Sequence, residues 1–381
     1  MDNRSKFLPL LLTLLLLIGC VPTKDIETLA IINAYGVDIT EDNPQKIDVT
    51  SIVFQFNGQA DNITQTLSGT GGTVREAFQN IGSKTSYNTS PGQIRLTIYG
   101  KETAENGILP YLNTLVRDSR VSEMMYPTIS NTTAKELLTS NRENTGIDIA
   151  QHLQGIIEKE IEEDSIPDVS FYNFNRVHQN YGEDPLLPLL DIKENASELI
   201  GMALLRNAKY VGAISLDDAF LVNLFRKRIR DKPFNISLPK EPFSEYIEET
   251  QEEEEEEELK IDLLITDGIS NTKLTDVDQP YFQTNIMLKA NLFETSEDLE
   301  VKSKHISNLL EKEIEKEMES QYSDLLDSLQ EANSDPFGLG KLYRIHKENG
   351  QLTSEEWHEK FPSAAVDFNV NVQLTNYGTI Q

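Results

Sequence analysis

Cysteine is almost absent from this chain of 381 residues: there is one, Cys20. No intramolecular disulfide and no multi-cysteine metal site can be built from it. Histidine is scarce as well, with His152, His178, His305, His346 and His358 making up the set. None stands three or four residues from another, so no helix presents two imidazoles on one face as a zinc site requires. Basic charge is short: 34 Lys and Arg face 63 Asp and Glu, a net charge of −29. A surface that neutralises phosphates does not come from that balance, and nucleic acid is excluded as a partner. Apolar residues are 38% of the chain, enough to bury cores but not to cross a bilayer repeatedly.

What is present begins with the first twenty residues. Arg4 and Lys6 precede an almost wholly apolar stretch from Phe7 to Ile18. That stretch is shorter than the roughly 20 residues a membrane-spanning helix needs. A basic start, a short apolar core and a small residue before a break read as a secretory signal. The ending Leu17-Ile18-Gly19-Cys20 resembles a bacterial lipobox. The resemblance implies a diacylglycerol on the Cys20 thiol, cleavage of residues 1–19 and a protein exported by a Gram-positive bacterium. Loss of Asp2, Arg4 and Lys6 with that peptide would leave the remainder at −30, a body that anionic lipid repels.

At about 150 residues per domain, the length suggests two or three domains. Ile26 to Ile32 is an apolar run that Tyr35-Gly36-Val37-Asp38 closes as a turn. Ile47–Phe56 and the alternating Ile94–Tyr99 read as strands. Val74, Ala77, Phe78 and Ile81 mark a helix, and residues 107–116, 134–138 and 149–161 have helical spacing. Residues 162–198, with Pro167, Pro185 and Pro188, read as loop. Gly201 to Gly212 reads as a hairpin around Arg206-Asn207, and residues 216–229 as a helix. Glu252 to Glu258 is an unbroken run of seven glutamates, expected as a solvated loop because like charges repel. Residues 259–265 and 282–292 are expected strands. The clearest helix is 302–329, with Ile306, Leu310, Ile314, Met318, Tyr322, Leu325 and Leu329 on one stripe. Val366, Phe368, Val370, Val372 and Leu374 alternate with polar residues in a final one-face-buried strand.

These patterns give a mixed α/β, α+β fold class. They place a signal peptide at 1–19, an N-terminal α/β domain at 20–196, a hairpin–helix region ending in the acidic loop at 197–258, and an α+β domain at 259–381. Chemistry is harder to find. There is no G-x-S-x-G elbow, and lipidation would remove Cys20 as a nucleophile. Gly69-Thr-Gly-Gly72 lacks the Lys-Ser/Thr of a phosphate loop, and Asp276-Val-Asp278 lacks EF-hand spacing. Trp357 reads as a core or domain-interface anchor. No catalytic residue, cofactor or metal site is expected.

Past Cys20, the run Asp25, Glu27, Ile31, Ile32 and Gly36-Val37-Asp38 is similar to the start of the Ger(x)C lipoproteins, the C subunits of spore germinant receptors. Val21-Pro22 stands where that family has Trp-Asp. Glu76-Ala77, Gly92-Gln93-Ile94, Asn106-Gly107-Ile108, Leu115-Val116-Arg117-Asp118, Gly201-Met202-Ala203, Lys209 to Gly212, Asp335 to Gly340, Trp357 and Gly378 extend the resemblance in order over nearly the whole chain. It implies three mixed α/β domains, each a β-sheet with packed helices. It also implies a Cys20 anchor on the outer face of the inner spore membrane. The partners would be the polytopic B subunit and the A subunit of a nutrient receptor, with direct contact to a germinant left open. A solute-binding lipoprotein of an importer is the competing reading, and a lipid-anchored hydrolase the third.

Overall fold

The computed structural model describes residues 29–40, 42–43, 45–55, 64–116, 122–140, 149–247, 258–301, 303–347 and 350–377. Cys20, Arg117-Asp118, Glu252 to Glu257 and Gly378 lie outside the described residues. Two mixed sheets with helices packed on them give a multidomain α+β architecture. In chain order the first half runs β1 (Leu29–Ile39), β2 (Ile47–Gln55), β3 (Thr64–Gly71), α1 (Val74–Gly82), β4 (Asn88–Ser90), β5 (Leu96–Tyr99), α2 (Lys101–Asn106), α3 (Leu109–Val116) and β6 (Tyr126–Ser130). It continues through α4 (Ala134–Thr139), α5 (Ile149–Glu162), α6 (Phe171–His178), β7 (Leu186–Lys193), β8 (Ala196–Arg206) and β9 (Lys209–Ile214). The second half is α7 (Leu216–Arg226), β10 (Lys232–Pro239), β11 (Glu258–Asp276), β12 (Tyr281–Thr295), α8 (Lys304–Ala332), α9 (Leu339–His346), α10 (Ser354–Lys360) and β13 (Ala365–Tyr377).

The larger sheet has the order β3-β2-β1-β5-β6-β7-β8-β9, with β4 also on β1. Its central strands β1, β5, β6 and β7 are parallel, and antiparallel neighbours flank them on both sides. All of β5 and β6 and the first five residues of β7 are buried, as parallel strands with helices on both faces must be. In β8 the alternation assigns Met202 and Leu204 to one core and Ala203 and Leu205 to the other. The first of those cores continues without a break through α7 into the smaller sheet, of order β10-β11-β12-β13. Residues 219–225 of α7 are accordingly buried on every side.

Tyr35 to Asp38 does not form the turn expected from the sequence; β1 continues to Ile39. Gly36 and Asp38 serve α4 instead. A methyl group on Gly36 would lie 2.5 Å from the Ala134 side chain. The Asp38 carboxylate accepts the N–H groups of Ala134 at 2.8 Å and Lys135 at 2.9 Å, at the positive end of that helix. The stretch 162–198 is likewise richer than the expected loop, since it holds α6 and β7. Phe171, Phe174 and Val177 bury one face of α6, too short a stripe to stand out among three prolines. Pro188 sits inside β7, opposite Met202. The hairpin turn falls at Asn207-Ala208, both with positive φ.

Two of the sheet edges, β3 and β13, are met by side chains from nearby helical segments. On β3, the carbonyls of Thr70 and Ser68 accept from Asn80 at 2.7 Å and Lys84 at 2.9 Å. On β13, the N–H groups of Val370, Val372 and Leu374 donate to Glu319, Glu315 and Glu311 of α8 at 2.9, 2.9 and 2.8 Å. Three glutamates at four-residue spacing thus occupy an edge that would otherwise pair with another strand. Hydrogen bonds to a charged partner contribute about 1.5–3 kcal/mol, less where the group is half in water. Glu315→Ala should therefore lower stability by about 1–2 kcal/mol, read as a shift in the urea midpoint, while Glu315→Gln, which still accepts, keeps most of it.

Candidate functional site

Three segments far apart in sequence meet where the two sheets join. They are the loop 182–185 between α6 and β7, the turn 333–340 after α8, and α10. α8 ends because Asn333 turns left-handed, with φ 50° and ψ 52°. Its side-chain amide donates to the His358 carbonyl at 2.9 Å, and the buried Ser334 hydroxyl donates to the Leu205 carbonyl at 2.8 Å. Asp335 follows, fully buried. One of its carboxylate oxygens accepts from Gly338 N–H at 2.9 Å, and the other from Gly340 N–H at 3.0 Å and the Trp357 indole at 2.9 Å. Its backbone exchanges two bonds with Asp184: Asp335 N–H donates to Asp184 Oδ2 and Asp184 N–H donates to the Asp335 carbonyl, each at 2.9 Å.

From Asp184 the network reaches the larger sheet. His358 Nε2 donates to Asp184 Oδ2 at 2.8 Å, and His358 Nδ1 lies 3.2 Å from the Ser354 hydroxyl. Ser354 in turn donates to Asn207 in the β8–β9 turn at 2.9 Å. The order hydroxyl, imidazole, carboxylate is that of a nucleophile relay, but here the serine proton is given to Asn207 and not to the imidazole. Two glycines let the segments close. A methyl group on Gly340 would lie 2.5 Å from Gly182 Cα and 2.7 Å from the Trp357 ring. Gly182, at φ +95°, accepts from Lys341 N–H at 3.0 Å.

Burial sets the electrostatics. It pushes the Asp335 carboxyl up to about 7, helped by the negative charge of Asp184 and opposed by the N–H groups of Gly340, Leu339 and Trp357. Next to it the buried Glu183 carboxylate is shared by Arg226 and Lys341. Burial brings Arg226 down to about 10 and Lys341 to about 8, and the charge of Arg176 presses both the same way. A pocket of about 280 Å³ opens onto the network, lined among others by His178, Asn180, Asp184, Asn207, Ser354 and His358. His178 is stacked on Phe174 and lowered by burial, with Asp184 opposing.

Trp357 takes the interface-anchor place read from the sequence, only 1% exposed. Asp184 carries no sequence signal beyond its Gly and Pro neighbours in Gly182-Glu183-Asp184-Pro185, and Asp335 is marked only as the start of the Asp335 to Gly340 stretch that carries the family resemblance. The other histidines stay apart: His152 is on α5, His305 meets the Tyr246 hydroxyl and His346 the Leu342 carbonyl. Among the described residues no three His, Cys, Asp or Glu side chains are grouped to hold a metal ion. Asp276 spends its carboxylate on the N–H groups of Asp278 and Gln279 in the β11–β12 turn. Gly69 and Gly71 lie within β3, and Thr73 caps α1. Of the glutamate run, Glu258 opens β11.

Two family models cover the chain in succession. The spore germination protein N-terminal domain matches residues 22–192, and the spore germination B3/GerAC-like C-terminal model matches residues 200–378. The chain belongs to the Ger(x)C family. It is 25% identical over 365 residues to spore germination protein GerQC of Bacillus cereus, covering 96% of each chain. To spore germination protein B3 of Bacillus subtilis (strain 168) it is 23% identical over 399 residues, covering all of both. The crystal structure of the GerBC protein shares its fold, with a TM-score of 0.56 at 17% identity over 92% of this chain and 100% of that one. In this Ger(x)C chain the junction joins the two matched regions, with Asp184 in the first and Asp335, Trp357 and His358 in the second.

A carboxyl raised by folding binds its proton more tightly folded than unfolded. The contribution of Asp335 is therefore greatest below about pH 4, where an unfolded Asp titrates, and is lost as pH rises towards 7. The slope of the urea midpoint against pH between 4 and 7 should be less negative in Asp335→Asn than in the native chain. Trp357→Phe, which removes one donor and little volume, should cost about 1–3 kcal/mol in the same titration.

Proposed function

We propose that this chain is the lipid-anchored, non-catalytic C subunit of a nutrient germinant receptor. Its folded body would scaffold or couple the A and B subunits on the outer face of the inner spore membrane. The observation that carries the reading is the pair of family matches, which begin two residues past Cys20 and run in order to residue 378. Leu17-Ile18-Gly19-Cys20 supplies the anchor in this reading. Each buried CH₂ adds about 0.8 kcal/mol, so two or three acyl chains on Cys20 hold firmly where one holds weakly. The net charge of −30 left after cleavage of residues 1–19 then keeps the body off anionic lipid and available to protein partners.

A structural role also agrees with how the most chemically suggestive side chains are spent. The Asp335 oxygens are taken by three N–H groups, His358 Nε2 is bonded to Asp184, and the Ser354 proton goes to Asn207. The test is dipicolinate release from spores of the source strain, with and without this gene, against a panel of nutrients. Loss of response to one nutrient class, with normal release by a receptor-independent trigger, is expected. An unchanged response to every nutrient in a strain lacking paralogous receptors would overturn the reading. For the anchor, Cys20→Ala should leave the membrane fraction in cells without the partner subunits, while wild type stays in it.

A further inference from the structure

The two outer edges of the smaller sheet are treated in opposite ways. On β13 the glutamates of α8 take the outward N–H groups. On β10, among the described residues, no strand and no side chain takes them. Proline identifies which groups those are. Pro233 and Pro239 have no N–H to give to β11, so their positions face outward, and Asn235 and Ser237 share that parity. The open edge therefore offers the N–H and C=O groups of Asn235 and Ser237, bounded by a proline at either end. A long bare edge invites indiscriminate pairing, whereas a window closed by prolines admits a short strand in a limited set of registers.

Beside this window lies a groove of about 620 Å³ between β10, α7 and α8. Its charged lining is Asp217, Asp218, Glu258, Glu317 and Asp324, with no cationic side chain among the lining residues. Asp218 caps α7 through Ser215, and none of the five is ion-paired among the described residues. Main-chain pairing at a strand edge gives an incoming segment its direction, and the flanking carboxylates select its side chains.

We propose that the β10 edge and its acidic groove dock a short, extended, Lys/Arg-bearing segment of a partner protein, added as a fifth strand of this sheet. The segment pairs with Asn235 and Ser237 and lays its basic side chains across Glu258, Glu317 and Asp324. This goes beyond the subunit role above and does not depend on it.

The probe is a fluorescein-labelled seven-residue peptide alternating Lys or Arg with Val, titrated by anisotropy against the full chain in detergent. Saturable binding is expected, weakened at least tenfold by Asp324→Lys with Glu317→Lys and at least tenfold by Ser237→Pro. That last change removes one outward N–H at a position where the sheet tolerates proline. Methylating the peptide's alternate backbone nitrogens on the pairing edge should have the same effect, and it keeps the test open if Ser237→Pro fails to fold. The proposal is overturned if the basic peptide does not bind saturably, if a Glu–Val counterpart binds as well, or if the methylated peptide binds like the parent.

Discussion

A carboxylate removed from water costs several kcal/mol unless donors replace the solvent, and Asp335 is removed completely. Everything around it supplies that replacement. The turn after α8 tightens so that the Gly338 and Gly340 amides point inward, and α10 turns its tryptophan so that the indole N–H reaches the same group. The main chain of Asp335 holds Asp184 in a two-bond clasp, and Asp184 then holds His358. Take away the carboxylate and three donors are stranded in the interior at once. The position of α9, the packing of Trp357 and the docking of the 182–185 loop all presuppose it.

The same junction explains why one apolar core can serve two sheets. α7 is buried on every side because each sheet packs against it, and Arg226 at its end enters the Glu183 pair next to Asp335. Polar and apolar contacts are therefore complementary here. The apolar helix provides area without direction, and the ionic and hydrogen-bonded cluster provides a fixed relative placement. For a protein read as a scaffold, such fixed placement matters more than any reactivity in the groups that achieve it.

Much of this was legible in the sequence where the period was clean. The stripe from Ile306 to Leu329 and the alternation from Val366 to Leu374 gave α8 and β13 within a few residues. The hairpin of β8 and β9 was visible because two apolar runs flank residues that tolerate positive φ. β11 runs past Ile265, where its apolar pattern stops, because beyond Asp267 its residues turn polar on the open face while still pairing with β12. α6 and β7 were hidden by prolines that the fold places at a strand start and opposite Met202. At the junction, Trp357 was legible as a buried anchor from its rarity. The Asp184–Asp335 clasp was not, because its partners lie 151 residues apart and the Asp335 to Gly340 stretch carries nothing that points to Asp184.

The glutamate rungs between α8 and β13 also work as a vernier. Four helical residues advance about 6.0 Å and two strand residues about 6.6 Å, so successive rungs drift by about 0.6 Å. Three rungs absorb that drift in side-chain freedom, and the bonds stay between 2.8 and 2.9 Å. The next positions along the same row of the helix are Ser307 and Ser323, which carry no carboxylate. A scale with three marks fits in one setting only. Sliding the helix by a turn would bring a serine opposite a strand amide, so helix and strand are indexed to each other, and a force along α8 is delivered to β13 through the stretch from Val370 to Leu374.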